Sequence, residues 1–485
     1  MKTLPTILLI IALPLSLFSQ TFEKLIKTQA DDYATDAIEL SDGNFLIAYN
    51  KGNSTYNDFH SEMWILNKSG DIIQTIEVPD YNDYKESAIL NLLYIDSTTF
   101  IGFRSINNNI TGDWQTNIIR IKNISNIYYM DFDTIIGNPE ISMSNGDFIL
   151  TSDKKLVSVG YIHGESNTAA IYITDLNGNY INSKIYYGTS GFLGTTIMEI
   201  PQKNKYHMFE YWDNDSSLFI IDKESLEIDT ILHYPQFFLP RNAVKGINQN
   251  SYFVAGQSPY FQGNAHYIPS FIEINNNGEI ININKYLVNE DTNSYYTINC
   301  FDHLNGKIYF GAVYNFSQHP PFHYYPERRW IFINKLNSDG SIIWQHFYKG
   351  EVNYMPFKVL ATKDGGALIL STKYDWEDPT PNQFDLHILK IDSTGWYDGI
   401  TGTSELMKPS QILVYPNPVK DKVNFVPGMY RNLNLQIFNS SGKLVIDCKL
   451  PSTKTINMSQ LAKGVYIFVL SNNKGFIEKG KIIKE

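Results

Sequence analysis

Two histidines four residues apart, His319 and His323 in QHPPFHYYPERR, have the spacing at which a helix offers two imidazoles to one metal. Pro320 and Pro321 lie between them, and proline gives a helix no amide donor, so the spacing loses that meaning. Cys300 and His303 have no visible third ligand. Asp213-Asn214-Asp215-Ser216-Ser217 and Asp175-Leu176-Asn177-Gly178-Asn179 are oxygen-rich like calcium loops, but neither has the bidentate Glu that closes such a loop. Asp and Asn also favour turns by bonding their own backbone. Gly188-Thr189-Ser190-Gly191 sets a serine among glycines without the spacing of a strand–helix elbow. GxSxG, HExxH, GxGxxG, P-loop and CxxC patterns are absent. No metal, cofactor or catalytic residue is expected from these motifs.

The better candidates are aromatic. His319–Arg329 holds Phe322, Tyr324, Tyr325, Arg328 and Arg329, and a later loop holds Tyr374 and Trp376. Tyr260, Phe261, His266 and Tyr267 fall in another, and Trp114 in a fourth. These loops recur at the same place in an internal repeat, so they should gather on one face. Trp114, Tyr260, Tyr324, Tyr325, Arg328, Tyr374 and Trp376 are therefore the expected binding residues. Rings interleaved with arginine suit sugar stacking or a protein anchor. The competing expectation is that they pack on one another over the repeat edges.

The elements that must position them are strands. The chain has 485 residues, is 43% hydrophobic and 14% aromatic, and no stretch keeps helical periodicity. From Phe22 to Trp396 it repeats a strand, a turn, a strand, a loop, a strand, a turn and a strand. The clearest copy runs Phe357–Thr362, turn Lys363-Asp364-Gly365-Gly366, Ala367–Tyr374, then Asp385–Ile391 and turn Asp392-Ser393-Thr394-Gly395. The second turns fall near positions 70, 125, 178, 226, 278, 340 and 395, a period of about 50–60 residues. Four antiparallel strands at that period predict a β-propeller, with seven blades and six to eight as the range. The last unit lacks a fourth strand. Phe22–Thr28 has no partner of its own, so it is predicted to pair with Asp385–Ile391 and close the ring.

On these residues the chain resembles secreted bacterial seven-bladed β-propellers. The shared pattern is Asp364-Gly365-Gly366 with Lys390-Ile391-Asp392 and Gly395, and again Lys335-Leu336-Asn337 with Gly340 and Trp344. The resemblance concerns turns and core, so it implies fold and not activity.

The ends of the chain concern delivery. Residues 1–20 read as a signal peptide: Lys2, the apolar run Ile7–Leu17, then Ser19 near a cleavage point. That run is too short to span a membrane, and no later stretch is long enough. The propeller is expected over 21–396 and a polar linker over 397–410. Residues 411–485 closely resemble the type A C-terminal sorting domain of the type IX secretion system. The matching positions are Tyr415, Pro416, Asn417 and Pro418, Gly442, Gly464 and Tyr466, and a basic end reaching Lys484. Physically this reads as a small Ig-like β-sandwich with a hairpin across Ser440-Ser441-Gly442. The resemblance implies the type IX machinery as partner, passage across the outer membrane and removal of the domain.

Charge divides the same way. The net −11 contains +7 from residues 411–485 and +1 from the leader, which leaves −19 on the body. An acidic body excludes nonspecific nucleic-acid binding, which needs cations to displace counterions. The expectation is an exported all-β ligand-binding or scaffold module, with a glycan or surface protein as partner. The alternative is a secreted polysaccharide lyase or hydrolase with its site in the propeller funnel.

Overall fold

The computed structural model describes residues 20–52, 60–80, 84–136, 143–162, 168–187, 192–212, 215–235, 244–246, 250–259, 267–286, 294–295, 299–316, 328–376, 384–397, 413–426, 433–451, 453–472 and 475–485. Residues 1–19 of the expected leader, nearly all of the expected linker and the motifs at 188–191 and 319–323 lie outside them. Among the described residues the only helical element is the 3-10 turn Pro201–Lys203. No helix is long and apolar enough to cross a membrane.

Among the described residues seven antiparallel sheets precede residue 392, six with four strands and one with a divided first strand. Blade 1 shows the plan: Asp31–Glu39, Phe45–Gly52, His60–Leu66 and Ile72–Glu77 pair in sequence order. The first strands pack on one another in succession, and Asn353–Ala361 of blade 7 returns to Asp31–Glu39 of blade 1. The ring is closed. The predicted closing strand is present as Phe22–Ile26, antiparallel to Phe384–Ile391, with Phe22 opposite Lys390 and Ile26 opposite Leu386.

The second turns explain why two repeats look degenerate. Gly70, Gly178, Gly278, Gly340 and Gly395 all take positive φ there. In blades 2 and 4 the left-handed position falls instead to Asn126 (φ 65°) and Leu226 (φ 57°). Asparagine tolerates that region; leucine does not, and burial of its side chain (1% exposed) offsets the strain. At Gly70 (φ 80°) a Cβ would also stand 2.4 Å from the Phe22 ring, so glycine is required there twice over.

A second repeat joins neighbouring blades. The outer strands of blades 3 to 6 each end in a tyrosine whose hydroxyl donates to a carbonyl in the next blade's second turn. Tyr186 reaches Leu226 (2.9 Å), Tyr234 reaches Gly278, Tyr286 reaches Gly340 (3.0 Å) and Tyr348 reaches Gly395 (2.7 Å). All four rings are buried. Each of these four blades thus caps a turn carbonyl of its neighbour, and apolar clusters fill the space between sheets.

Residues 413–484 form a separate two-sheet unit. Leu413–Tyr415, Lys422–Val426 and Thr455–Asn457 make one sheet; Leu444–Lys449, Asn434–Asn439, Gly464–Asn472 and Gly475–Lys484 make the other in that order. Val423, Phe425, Leu435, Ile437, Phe468 and Ile482 fill the space between them. Cys300 and Cys448 are not joined by a disulfide.

Candidate functional site

Of the seven binding residues expected from the sequence, Trp114, Arg328, Tyr374 and Trp376 lie among the described residues. Tyr260, Tyr324 and Tyr325 lie outside them. Tyr374, expected at a binding surface, is instead buried (5% exposed), with its ring 5.4 Å from Phe384. It closes the end of its sheet, opposite Phe384 in the pairing register, which is where a strand-terminal ring gains most from packing. Trp376 is half-buried against the apolar cluster that runs through blades 5, 6 and 7. Trp114 begins the third strand of blade 2 and is half-buried; Arg328 is exposed beside blade 6.

What the first strands do gather is a set of polar side chains. Asp36, Asn91, Asp147, Thr196 and Lys358 each stand at a break in register, opposite Ala48, Phe103, Val159, Phe209 and Leu370. A bulge re-aims the side chain it carries. Asp36 accepts from Leu92 N of blade 2 (2.8 Å), from Asn299 Nδ2 beside blade 6 (3.1 Å) and from Lys358 Nζ of blade 7 (2.7 Å). Lys358 is fully enclosed, and burial works against its charge, but Asp36 and Asp302 hold the ammonium above the ordinary lysine value. Asp147 accepts from Thr196 Oγ1 (2.6 Å) and Ile197 N (3.0 Å), joining blades 3 and 4. These groups bond blade to blade. Sequence reasoning missed them; their signal was a lone polar residue six positions before the Asp of the first turn, as in Asp36/Asp42, Asp147/Asp153 and Lys358/Asp364.

A second buried chain has the form of a catalytic relay. The Ser371 hydroxyl lies 2.8 Å from His387 Nδ1, and His387 Nε2 lies 3.0 Å from Glu23 Oε1. Burial lowers His387, so the neutral ring accepts from Ser371 and donates to Glu23. Burial also acts to raise Glu23, but bonds from His387 and Lys349 outweigh it and bring the carboxyl to about 2. Ser371 is completely buried, so no substrate carbonyl reaches it. The relay holds the closing strand.

The C-terminal unit is the more informative site. Asn417 sits between Pro416 and Pro418 and pairs with the last strand through both ends of its amide. Its Nδ2 donates to Lys481 O (2.8 Å), and its Oδ1 accepts from Ile483 N (2.7 Å). Val419 N donates to Ile483 O (2.7 Å), and Glu485 N donates to Val419 O (2.9 Å). The prolines have no amide to donate, so the motif segment bonds through the residues between and after them. Gly442 (φ 79°) closes the predicted hairpin, with its N donating to Asn439 O (2.9 Å). Tyr466 is buried and its hydroxyl donates to Ala462 O (2.7 Å) beside Gly464. Lys484, expected in a basic end, is nearly buried and donates to Glu485 O. Tyr415 rests 5.9 Å from Trp330 of blade 6.

The fold is therefore that of a β-propeller followed by a small β-sandwich, defined by the chain's own strand pairing. Residues 413–485 match the secretion system C-terminal sorting domain, and the chain carries that domain. It marks proteins exported by type IX secretion to the cell surface or the extracellular space, and that is the location of this protein. Solved structures similar to the chain include the Dos1 propeller, at 8% identity and TM-score 0.40, covering 80% of this chain and 98% of that one. The β-propeller domain of the trilobed protease from Pyrococcus furiosus is 10% identical with TM-score 0.36, covering 83% and 94%. Sqt1 from Chaetomium thermophilum is 8% identical with TM-score 0.43, covering 77% and 98%. No curated protein matches the chain.

Proposed function

We propose that this chain is a ligand-binding or scaffold module of the cell surface or surroundings. It enters the export route by a leader at residues 1–20, and the type IX machinery acts on its C-terminal unit and removes it. The observation that carries delivery is the match of residues 413–485 to the sorting domain, together with the Asn417 bonds that tie its motif to the end of the chain. A binding role is supported by the stiffness of the ring, whose inner polar groups and outer tyrosines are engaged between blades. Such a frame can hold loops in place, and Trp114 with the loops carrying Tyr260, Tyr324, Tyr325, Arg328 and Trp376 are the proposed contacts for a glycan or surface protein; the buried Tyr374 is not among them. A lyase or hydrolase in the funnel has no such support: Asp36 and Asp147, carboxylates of the first strands, are taken up by bonds to neighbouring blades.

The secreted protein screened against glycan and peptide panels tests the binding half. A ligand lost on exchanging Arg328 and Trp376 for Ala supports it, and an absence of any ligand returns the protein to a purely structural part. Deleting Gln411–Glu485 tests delivery: the protein should remain in the periplasm, and undiminished display on the cell would refute the reading.

A further inference from the structure

The sorting domain encloses its core between two sheets, yet its four-stranded sheet also carries apolar side chains on the opposite face. Leu444, Val465, Ile467 and Ile483 are 41, 39, 39 and 37% exposed. Strand pairing brings them together. Phe438 lies opposite Leu444 on one side and Ile467 on the other, and Val465 lies opposite Ile483. Paired side chains stand about 5 Å apart, and same-face neighbours on one strand about 7 Å apart. The five residues therefore make one stripe across all four strands. Their alternates, such as Ile437, Tyr466, Phe468 and Ile482, face the core, so the stripe is not a leak of the interior to the surface.

Lysines border it. Lys443 adjoins Leu444, Lys481 lies opposite Ile467, and Lys479 lies opposite Val469. The nearby carboxylate of Asp447 is engaged by Gln436 (3.2 Å). Among the described residues the contact with blade 6 is made by Tyr415, on the other sheet, and the stripe residues stay exposed.

We propose that this stripe is the surface by which the sorting domain docks on the export machinery, and that its partner is a protein surface with an apolar centre and an acidic rim. The proposal rests on the reading of residues 413–485 as the export signal. An apolar stripe kept in water by a folded sheet is free energy released when a partner covers it. The +7 charge of residues 411–485 sets the sign of the rim and speeds encounter with an acidic surface. The partner is thus selected twice, by shape in the centre and by charge around it.

The test uses the full chain in its native host. Val465→Asp/Ile467→Asp should lower surface delivery at least tenfold, Lys479→Glu/Lys481→Glu should lower it severalfold, and Val465→Leu/Ile467→Leu should leave it near normal. The purified full chains should keep the parent melting temperature; if the Asp pair does not, Ile467→Ser and Ile483→Ser replace it. Normal delivery of these variants, with delivery abolished by deleting Gln411–Glu485, would overturn the docking face and leave the export reading standing. Normal delivery of the deletion itself would overturn the export reading instead. X-ray scattering that shows the Asp pair swinging free of the propeller would mean that the stripe grips its own body, and would also overturn the proposal.

Discussion

His387 and Glu23 stand 364 positions apart in the chain and 3.0 Å apart in space, and their hydrogen bond crosses the seam where the ring closes. Glu23 belongs to the N-terminal strand, His387 to the third strand of blade 7, and Lys349 reaches the same carboxylate from blade 6. Removing one member of such a buried set leaves the others uncompensated, at a cost of about 3–5 kcal/mol. Glu23→Ala should therefore lower the denaturation midpoint markedly. Lys24→Ala, one residue away, breaks the exposed pair with Asp71, which water screens, and should move the midpoint far less. Urea titrations of the two variants decide it; equal effects would mean that the seam is not held by Glu23.

Acid should open the ring before it unfolds the strands individually. Burial lowers His207 and His346 to about 4 and also lowers His387. A folded state that resists a proton the unfolded chain accepts near 6.5 is fully stable above that value and loses stability as pH falls from about 6.5 toward 4. At about 1.4 kcal/mol per unit, His207 and His346 together cost about 4 kcal/mol by pH 5. Glu23, held at about 2, adds its loss between about 4.5 and 2. Midpoints measured at pH 7.5 and pH 5.0 should differ in that direction.

Glu210 should behave in the opposite sense. It is 3% exposed on blade 4, its Oε1 has no partner among the described residues, and burial raises it to about 6. Its contribution is lost as pH rises from about 4.5 to 6. Glu210→Gln should therefore stabilise the protein at pH 7.5 by about 1–2 kcal/mol and have little effect at pH 4.5. A destabilised variant at pH 7.5 would show that the carboxylate is bound to something.

The tyrosine caps predict a graded series. Tyr286→Phe and Tyr348→Phe keep the ring and remove the hydroxyl, leaving Gly340 O or Gly395 O without that donor. Each should cost about 1–2 kcal/mol, and the pair should be nearly additive because the two caps belong to different blade junctions. Calorimetry of the single and double variants measures both.

Asn417→Ala should loosen the end of the chain without unfolding the propeller. It frees Ile483 N and Lys481 O of the last strand, which should appear as faster amide exchange over Lys481–Glu485. Unchanged exchange there would mean that the pairing of the last strand with Gly464–Asn472 suffices.

Much of this architecture was legible in the chain because its causes are local. Turn glycines need positive φ, alternation follows the two-residue period of a strand, and both recur every 50–60 residues, so blade order and even the closing strand Phe22–Ile26 could be read in advance. Blades 2 and 4 read poorly only because Asn126 and Leu226 stand where glycine was sought. Asn417 and its prolines were visible as a motif, but their attachment to Ile483 was not. The tertiary structure alone decided which polar groups are spent inside the ring. Asp36 meets Lys358 across 322 positions, and His387 meets Glu23 across 364, and nothing within either segment encodes a partner so distant. Local rules act over a few residues; desolvation and pairing at a seam depend on which blade comes to lie beside which, and only the closed ring determines that.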